Sequence, residues 1–389
     1  STSYTSRTYL QQGIHTMTTP SVSRTDSPQT LAGTPLYYQD ISYPNLSISA
    51  LHTLNYFDSY PPLPENLTTP TEVFDQSVTT RTQGLLTLSK VRVLDTDQWS
   101  TTVHYYDEKA RPIYTHTKNE ALNTTDIVEY KLDFTGTILE SKTTHTKDNK
   151  APIITTDRYR YDPMGRLLAH KQQINDQAEE LIVLNTYDAL GQLESKKIGG
   201  AVAAQTENSE GLQTVNYGYN IRGWLKTIND DAHADNDLFD FTLNYNNPTS
   251  GTALYNGNIS QTSWHTLNTD ANIKTYTYTY DPLNRITSAT DNTTNYNLNL
   301  VDYDKNGNIL ALQRKGHLNA EARSFGMMDD LSYTYNHGNQ LQKVTDTGNK
   351  NYGFKDGSNT DNDYAYDANG NMTEDKNKGI ANITYNHLN

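Results

Sequence analysis

Seven times between residues 161 and 372 the chain writes one phrase: Tyr, Asp or Asn, two variable residues, Gly or Asn, any residue, then an apolar residue. The copies are Tyr161-Asp-Pro-Met-Gly-Arg-Leu167, Tyr187-Asp-Ala-Leu-Gly-Gln-Leu193, Tyr219-Asn-Ile-Arg-Gly-Trp-Leu225 and Tyr280-Asp-Pro-Leu-Asn-Arg-Ile286. They continue as Tyr303-Asp-Lys-Asn-Gly-Asn-Ile309, Tyr335-Asn-His-Gly-Asn-Gln-Leu341 and Tyr366-Asp-Ala-Asn-Gly-Asn-Met372. A fixed phrase recurring every few tens of residues marks a repeat architecture, in which each unit buries its apolar face only against its neighbours.

Weaker copies extend the series. Leu132-Asp-Phe-Thr-Gly-Thr-Ile138 lacks the Tyr, Tyr106-Asp-Glu-Lys-Ala-Arg-Pro112 lacks the Gly, and Tyr255-Asn-Gly-Asn-Ile259 is shortened. Each phrase reads as a turn between two strands. An Asp or Asn side chain folds back onto backbone N–H groups two residues on. Pro163 and Pro282 stand where a turn requires φ near −65°. Gly or Asn then supplies the left-handed residue that reverses the chain. The residues expected to build the repeat are therefore Tyr161, Asp162 and Gly165; Tyr187, Asp188 and Gly191; Tyr219 and Gly223; Tyr280 and Asp281; Tyr303, Asp304 and Gly307; Tyr335; and Tyr366, Asp367 and Gly370.

The incoming strands carry tyrosines two residues apart, as at Tyr159/Tyr161, Tyr217/Tyr219, Tyr278/Tyr280, Tyr333/Tyr335 and Tyr364/Tyr366. That spacing puts both rings on one face of a strand. Thr275-Tyr-Thr-Tyr-Thr-Tyr280 alternates most regularly. Only 34% of the residues are apolar, but 29 tyrosines argue against disorder, because their rings supply a core that the aliphatic count hides. The fold expected is all-β: a hairpin array forming a curved sheet. One hairpin is read from Leu167 to Ile174, a turn over Asn175–Glu180, and Leu181 to Tyr187; Ala201–Gln205 is the one short helix candidate. Residues 96–389 form the array. Residues 1–95, rich in Ser, Thr and Pro, are either degenerate early repeats of the same sheet or a separate cap, with a strand expected over Leu85–Leu94.

Composition also excludes. A net charge of −14 without a basic cluster argues against nucleic acid or an anionic membrane as partner. Zero cysteines remove disulfides, thiolate metal sites and a Cys nucleophile. No run approaches the roughly 18 apolar residues of a membrane span, and Ser1–Leu10 lacks the apolar core of a signal peptide. Both ends read as cut from a longer protein.

Catalytic motifs were sought among the histidines. His15, His52, His104, His116, His145 and His170 are scattered, mostly at expected exposed strand positions, and neither Gly-x-Ser-x-Gly nor HExxH occurs. Asp304–Asn308 and Asp367–Asn371, with Asp361 and Asp363 near the second, look like openings of calcium loops. The bidentate acid those loops need is replaced by Lys315 and Lys378, so turn chemistry is the reading. No catalytic, cofactor or metal residue is expected, and the chain is read as a non-enzyme. Trp99, Trp224 and Trp264 beside the Tyr strips are the residues a sugar-binding surface would use.

Iterated in this way, the Tyr-Asp phrase with its Gly resembles the YD-repeat or RHS family of bacterial proteins, over about residues 100 to 389. Tyr219–Leu225 and Tyr366–Met372 look like RHS proteins of the Bacteroidetes group. Relatives of the family include toxin-complex shell proteins and the teneurin adhesion receptors. The resemblance implies that the YD-repeat hairpin array forms a curved sheet or part of a hollow spiral shell, secreted or at a bacterial cell surface, enclosing a C-terminal polymorphic toxin or other cargo of the same polypeptide. The alternative it implies is a surface adhesion module that binds glycans. The family's conserved self-cleavage block has no counterpart after Tyr385, and no toxin module is present, so neither property transfers.

Overall fold

The computed structural model describes residues 23–39, 50–63, 69–148, 150–200, 211–229, 237–267 and 270–385. The helix candidate over Ala201–Gln205 and His15 lie outside them. Among the described residues the chain is strand and turn, with one short 3-10 segment, Lys376–Lys378, and no α-helix. It divides into two compact units, residues 1–186 with 196–214, and residues 187–195 with 215–389.

In the first unit an antiparallel sheet runs Thr53–Asp58, Thr82–Arg92, Trp99–Tyr106, Pro112–Asn119, Thr124–Leu132, Ile138–Lys147, Ile153–Tyr161, Leu167–Ile174 and Glu180–Tyr187. Each strand pairs with the next. The expected hairpin after Leu167 therefore forms, and the expected strand near Leu85 spans Thr82–Arg92. Two strands from residues 1–95 belong to this sheet, while Arg24–Leu31 and Thr34–Tyr38 form a separate hairpin. Apolar burial concentrates here. Leu54, Tyr56, Leu88, Val103, Tyr105, Ile113 and Tyr114, with Leu36 and Val73, make one dry cluster. Tyr60 stacks on Tyr105 at 4.8 Å, and Tyr114 meets Tyr105 edge-on at 5.7 Å.

In the second unit the sheet runs from Gln213–Tyr219 through Leu225–Ile228, Phe239–Asn244, Gln261–Thr266, Asp270–Tyr280, Ile286–Asp291, Leu298–Tyr303, Ile309–His317 and Phe325–Tyr335 to Leu341–Asp346. All its pairs are antiparallel. A last hairpin joins Tyr364–Tyr366 to Met372–Asp375.

One register irregularity recurs in both units. The lead Tyr of a phrase pairs with its closing apolar residue: Tyr161 with Leu167, Tyr219 with Leu225, Tyr280 with Ile286, Tyr303 with Ile309, Tyr335 with Leu341 and Tyr366 with Met372. Just before each pair the outgoing strand carries one extra residue, for example Leu168, Thr287 and Leu310. Such a bulge sharpens local twist and re-aims the side chains beside it. Here the re-aimed residue is the repeat tyrosine.

Candidate functional site: the turn ladder

Each turn is closed by one carboxylate or amide. Asp162 Oδ1 accepts from the backbone N–H of Met164 and of Arg166, both at 2.9 Å. The same pair of bonds, two and four residues on, recurs at Asp188, Asn220, Asp281, Asp304, Asn336 and Asp367, all between 2.8 and 3.0 Å. It recurs in the weak copies at Asp107 and Asp133. The fifth position is left-handed throughout: φ is 79° at Gly165, 86° at Gly191, 77° at Gly223, 93° at Gly307 and 88° at Gly370. Asn284 and Asn339 adopt it at 64° and 62°, and Ala110 at 61° in the copy that lost its Gly.

The sixth position, which sequence reading left as any residue, proves to be a clamp. Arg111, Arg166 and Arg285 donate Nε to the second oxygen of their own turn carboxylate at 2.6–2.7 Å. Asn308 and Asn371 do so through Nδ2 at 2.8 and 2.9 Å. Where the second position is Asn336, polarity inverts and its amide donates to Gln340 Oε1 at 2.7 Å. The signal was present in the sequence: Arg, Asn or Gln fills this position in every full copy except one, which carries Trp224.

These bonds show in the acidities. Backbone and side-chain donation from Arg166 holds Asp162 below the usual carboxylate range, and Arg285 does the same for Asp281. Asn308 and Asn371 act likewise on Asp304 and Asp367. At Asp107 burial pushes upward, but the combined bonds from Arg111 and Lys109 outweigh it.

Successive turns are stapled together. Tyr219 donates its hydroxyl to Leu193 O at 3.0 Å, the carbonyl of the residue that closes the preceding phrase. Tyr280 donates to Ile259 O, Tyr303 to Ile286 O and Tyr366 to Leu341 O, at 2.8–2.9 Å. Tyr385 does the same to Met372 O at 2.7 Å, and Tyr106 to Leu86 O at 2.7 Å. Tyr245, unmarked in the sequence reading because no full phrase follows it, donates to Leu225 O at 2.9 Å. Burial holds Tyr219, Tyr280 and Tyr366 above the ordinary phenol value, so these rungs remain donors. Side chains add further links. Arg285 Nη1 reaches Asp304 O at 3.1 Å, and Arg111 Nη1 reaches Asp133 O at 2.8 Å. Where Asn replaces Gly at the fifth position, its carbonyl receives two bonds from the turn before. Asn284 Oδ1 accepts from Asn256 and Asn258, and Asn339 Oδ1 from Asn306 and Asn308.

The aromatic and titratable groups fall differently from expectation. The lead tyrosines Tyr161, Tyr187, Tyr219, Tyr280, Tyr303, Tyr335 and Tyr366 are half-buried rather than packed inside; the buried ones among the described residues are Tyr56, Tyr105, Tyr106 and Tyr114. A ring needs its hydroxyl at the sheet rim to reach a neighbouring carbonyl, which keeps it at the boundary. Tyr159 and Tyr161 stack at 6.5 Å, as do Tyr276 and Tyr278 at 6.2 Å. Of the histidines expected to be exposed, His52 is; His104, His145 and His170 are half-buried and His116 is buried. His145 and His170 take carboxylate partners on neighbouring strands, Asp126 at 2.6 Å and Asp157 at 2.7 Å. Trp99 is 6% exposed, with Lys90 over its ring, and Trp264 stacks on Tyr276 at 5.8 Å. Trp224 opens onto a cavity. Among the described residues no three or more His, Cys, Asp or Glu are grouped to hold a metal, and no helix is long and apolar enough to cross a membrane.

No family model and no curated protein sequence matches the chain. Among solved structures it is similar to a chain of the Tc holotoxin pore of Photorhabdus luminescens, at 15% identity, with 77% of this chain and 18% of that one covered. The TM-score of 0.25 is too low for the likeness to carry an argument. The chain thus spans less than a fifth of that neighbour's length.

Proposed function

We propose that this chain is a non-enzymatic wall segment of an RHS-type shell, whose purpose is to enclose a C-terminal toxin or other cargo of the full-length polypeptide. The observation that supports it most is the ladder of tyrosine hydroxyls. Each full repeat closes its own turn, and at Tyr219, Tyr280, Tyr303 and Tyr366 the lead hydroxyl also hands a bond to a carbonyl of the repeat before, so the wall extends by adding hairpins. Repeat arrays of this kind supply surface and enclosure. The reading carries with it a bacterial origin and a secreted or cell-surface location. A net charge of −14 suits a basic cargo.

The test is limited proteolysis of a longer polypeptide carrying the natural downstream sequence. The downstream segment should resist protease while the wall is intact and be digested once it is unfolded by acid. Equal digestion in both states would refute enclosure.

A further inference from the structure

One turn breaks the rules that the others keep. In the phrase starting at Tyr219 the second position is Asn220 and the sixth is Trp224, whose indole has no group to clamp that amide. Asn220 spends its carbonyl on the N–H groups of Arg222 and Trp224, at 2.9 and 3.0 Å, which leaves its amide protons without a protein partner among the described residues. The indole turns instead toward the following loop. Its six-membered ring lies so near Gly257 that a methyl there would sit 3.3 Å from it, and its face meets Tyr245 at 5.2 Å with a 48° tilt.

The departure opens a cavity of about 270 Å³, lined by Asn220, Ile221, Arg222, Trp224, Tyr245 and Tyr255, together with Asn246 and Leu254. Ile221 and Tyr255 stand at its mouth, 102% and 71% exposed. The Arg222 guanidinium lies 5.1 Å over the Trp224 ring and gives a single bond of 3.3 Å to Tyr255 O. No carboxylate pairs with it among the described residues, although the chain carries 45 Asp and Glu. None of the lining residues is acidic.

We propose that this cavity binds an acidic sugar unit, a hexose-sized ring bearing a carboxylate. The volume admits one such ring. Aromatic walls offer negative π-faces to the apolar, slightly positive C–H face of a sugar. The Asn220 amide protons can donate to a hydroxyl, and the exposed Asn246 amide offers both a donor and an acceptor. The unpaired guanidinium matches a carboxylate in a fork geometry and is already ordered by its stack on Trp224. A place where a repeat forsakes its own structural chemistry is where a function is expected.

The test uses the whole chain and isothermal titration with 3′-sialyllactose and trigalacturonate as acidic probes, and lactose as the neutral partner of the first. An acidic probe should bind saturably, with lactose at least tenfold weaker. Arg222→Gln should lower acidic-probe affinity at least tenfold, to the level of lactose; its side chain is exposed, and the change costs the 3.3 Å bond to Tyr255 O but none of the bonds from Asn220 that close the turn. Trp224→Ala should abolish binding to both; Asn246→Ala, at an exposed position, gives the same reading in a variant whose fold is not at risk. Circular dichroism checks each variant. No saturable binding of either acidic probe up to millimolar concentration overturns the proposal, and so does acidic binding that Arg222→Gln and Asn246→Ala leave intact.

Discussion

The stretch from Leu36 to Tyr114 and the stretch from Tyr161 to Met372 are both antiparallel sheet, yet they are held by different forces. The first buries Val103, Tyr105 and Ile113 completely, in a cluster that includes Tyr56 and Leu88. The second buries only scattered apolar side chains, such as Leu181, Val301 and Val344, and half-buries its lead tyrosines. It rests instead on a polar device repeated at every full phrase, which the first region carries once, at Asp107 with Arg111 and Tyr106. Hydrophobic burial acts without direction and scales with area. The turn ladder is directional, local and modular, so its strength grows with the number of repeats rather than with the size of any one core.

Acidification should separate the two regions most widely. Asp162, Asp281, Asp304 and Asp367 titrate below the usual carboxylate value of 3.8 in the folded chain. A depressed folded pKa contributes stability that is present above the unfolded value and lost as pH falls through the folded one. Amide exchange followed from pH 5 to pH 2 should therefore show protection lost first at the turns 162–166, 281–285, 304–308 and 367–371. The strands around Tyr105 should hold longer; simultaneous loss in both regions would dissolve the distinction.

Tyr105→Ala should be the most damaging single change, costing about 3–5 kcal/mol, because it empties a fully buried site with one stacked and one edge-on tyrosine neighbour. Urea unfolding monitored by exchange should place that loss in the Leu36–Tyr114 region and leave the later turns protected. Gly307→Ala puts a side chain at φ 93° where no other atom crowds it, so the cost is backbone strain alone, about 1–2 kcal/mol. An effect near zero would mean that the turn relaxes to another form. Tyr280→Phe removes one hydroxyl bond to Ile259 O and should cost about 0.5–1.5 kcal/mol, with faster exchange confined to the two turns it joins. Asn339→Gly should be the mildest. It loses the two bonds from Asn306 and Asn308, while glycine accepts φ 62° more readily, and the two effects should nearly cancel in the denaturation midpoint.

The turns were legible because everything that makes them lies within seven residues. Asp281, Pro282, Asn284 and Arg285 interact over a span that fixes their geometry before any other strand arrives. Even the clamp at the sixth position was written there, in the regular choice of Arg, Asn or Gln, though it went unread. The strands followed from the same logic, since tyrosines two apart on a pleated chain must share a face.

Other features could not be read locally. That Tyr219 would find Leu193 O, or Asn339 receive Asn306 and Asn308, depends on which hairpins lie side by side and in what register. The recurring bulge set that register, and a shift of one residue would have turned every ring to the other face. The core around Tyr105 joins Leu36, Leu54, Tyr56, Val73 and Leu88, from a region whose composition reads as Ser, Thr and Pro, to Val103, Ile113 and Tyr114 beyond it. So the amino-acid order alone determined an all-β chain of tyrosine-led reversals, because those bonds close over a few residues. The rungs between repeats, the buried cluster and the cavity beside Trp224 were decided only by tertiary structure, because their partners meet solely when distant strands pair.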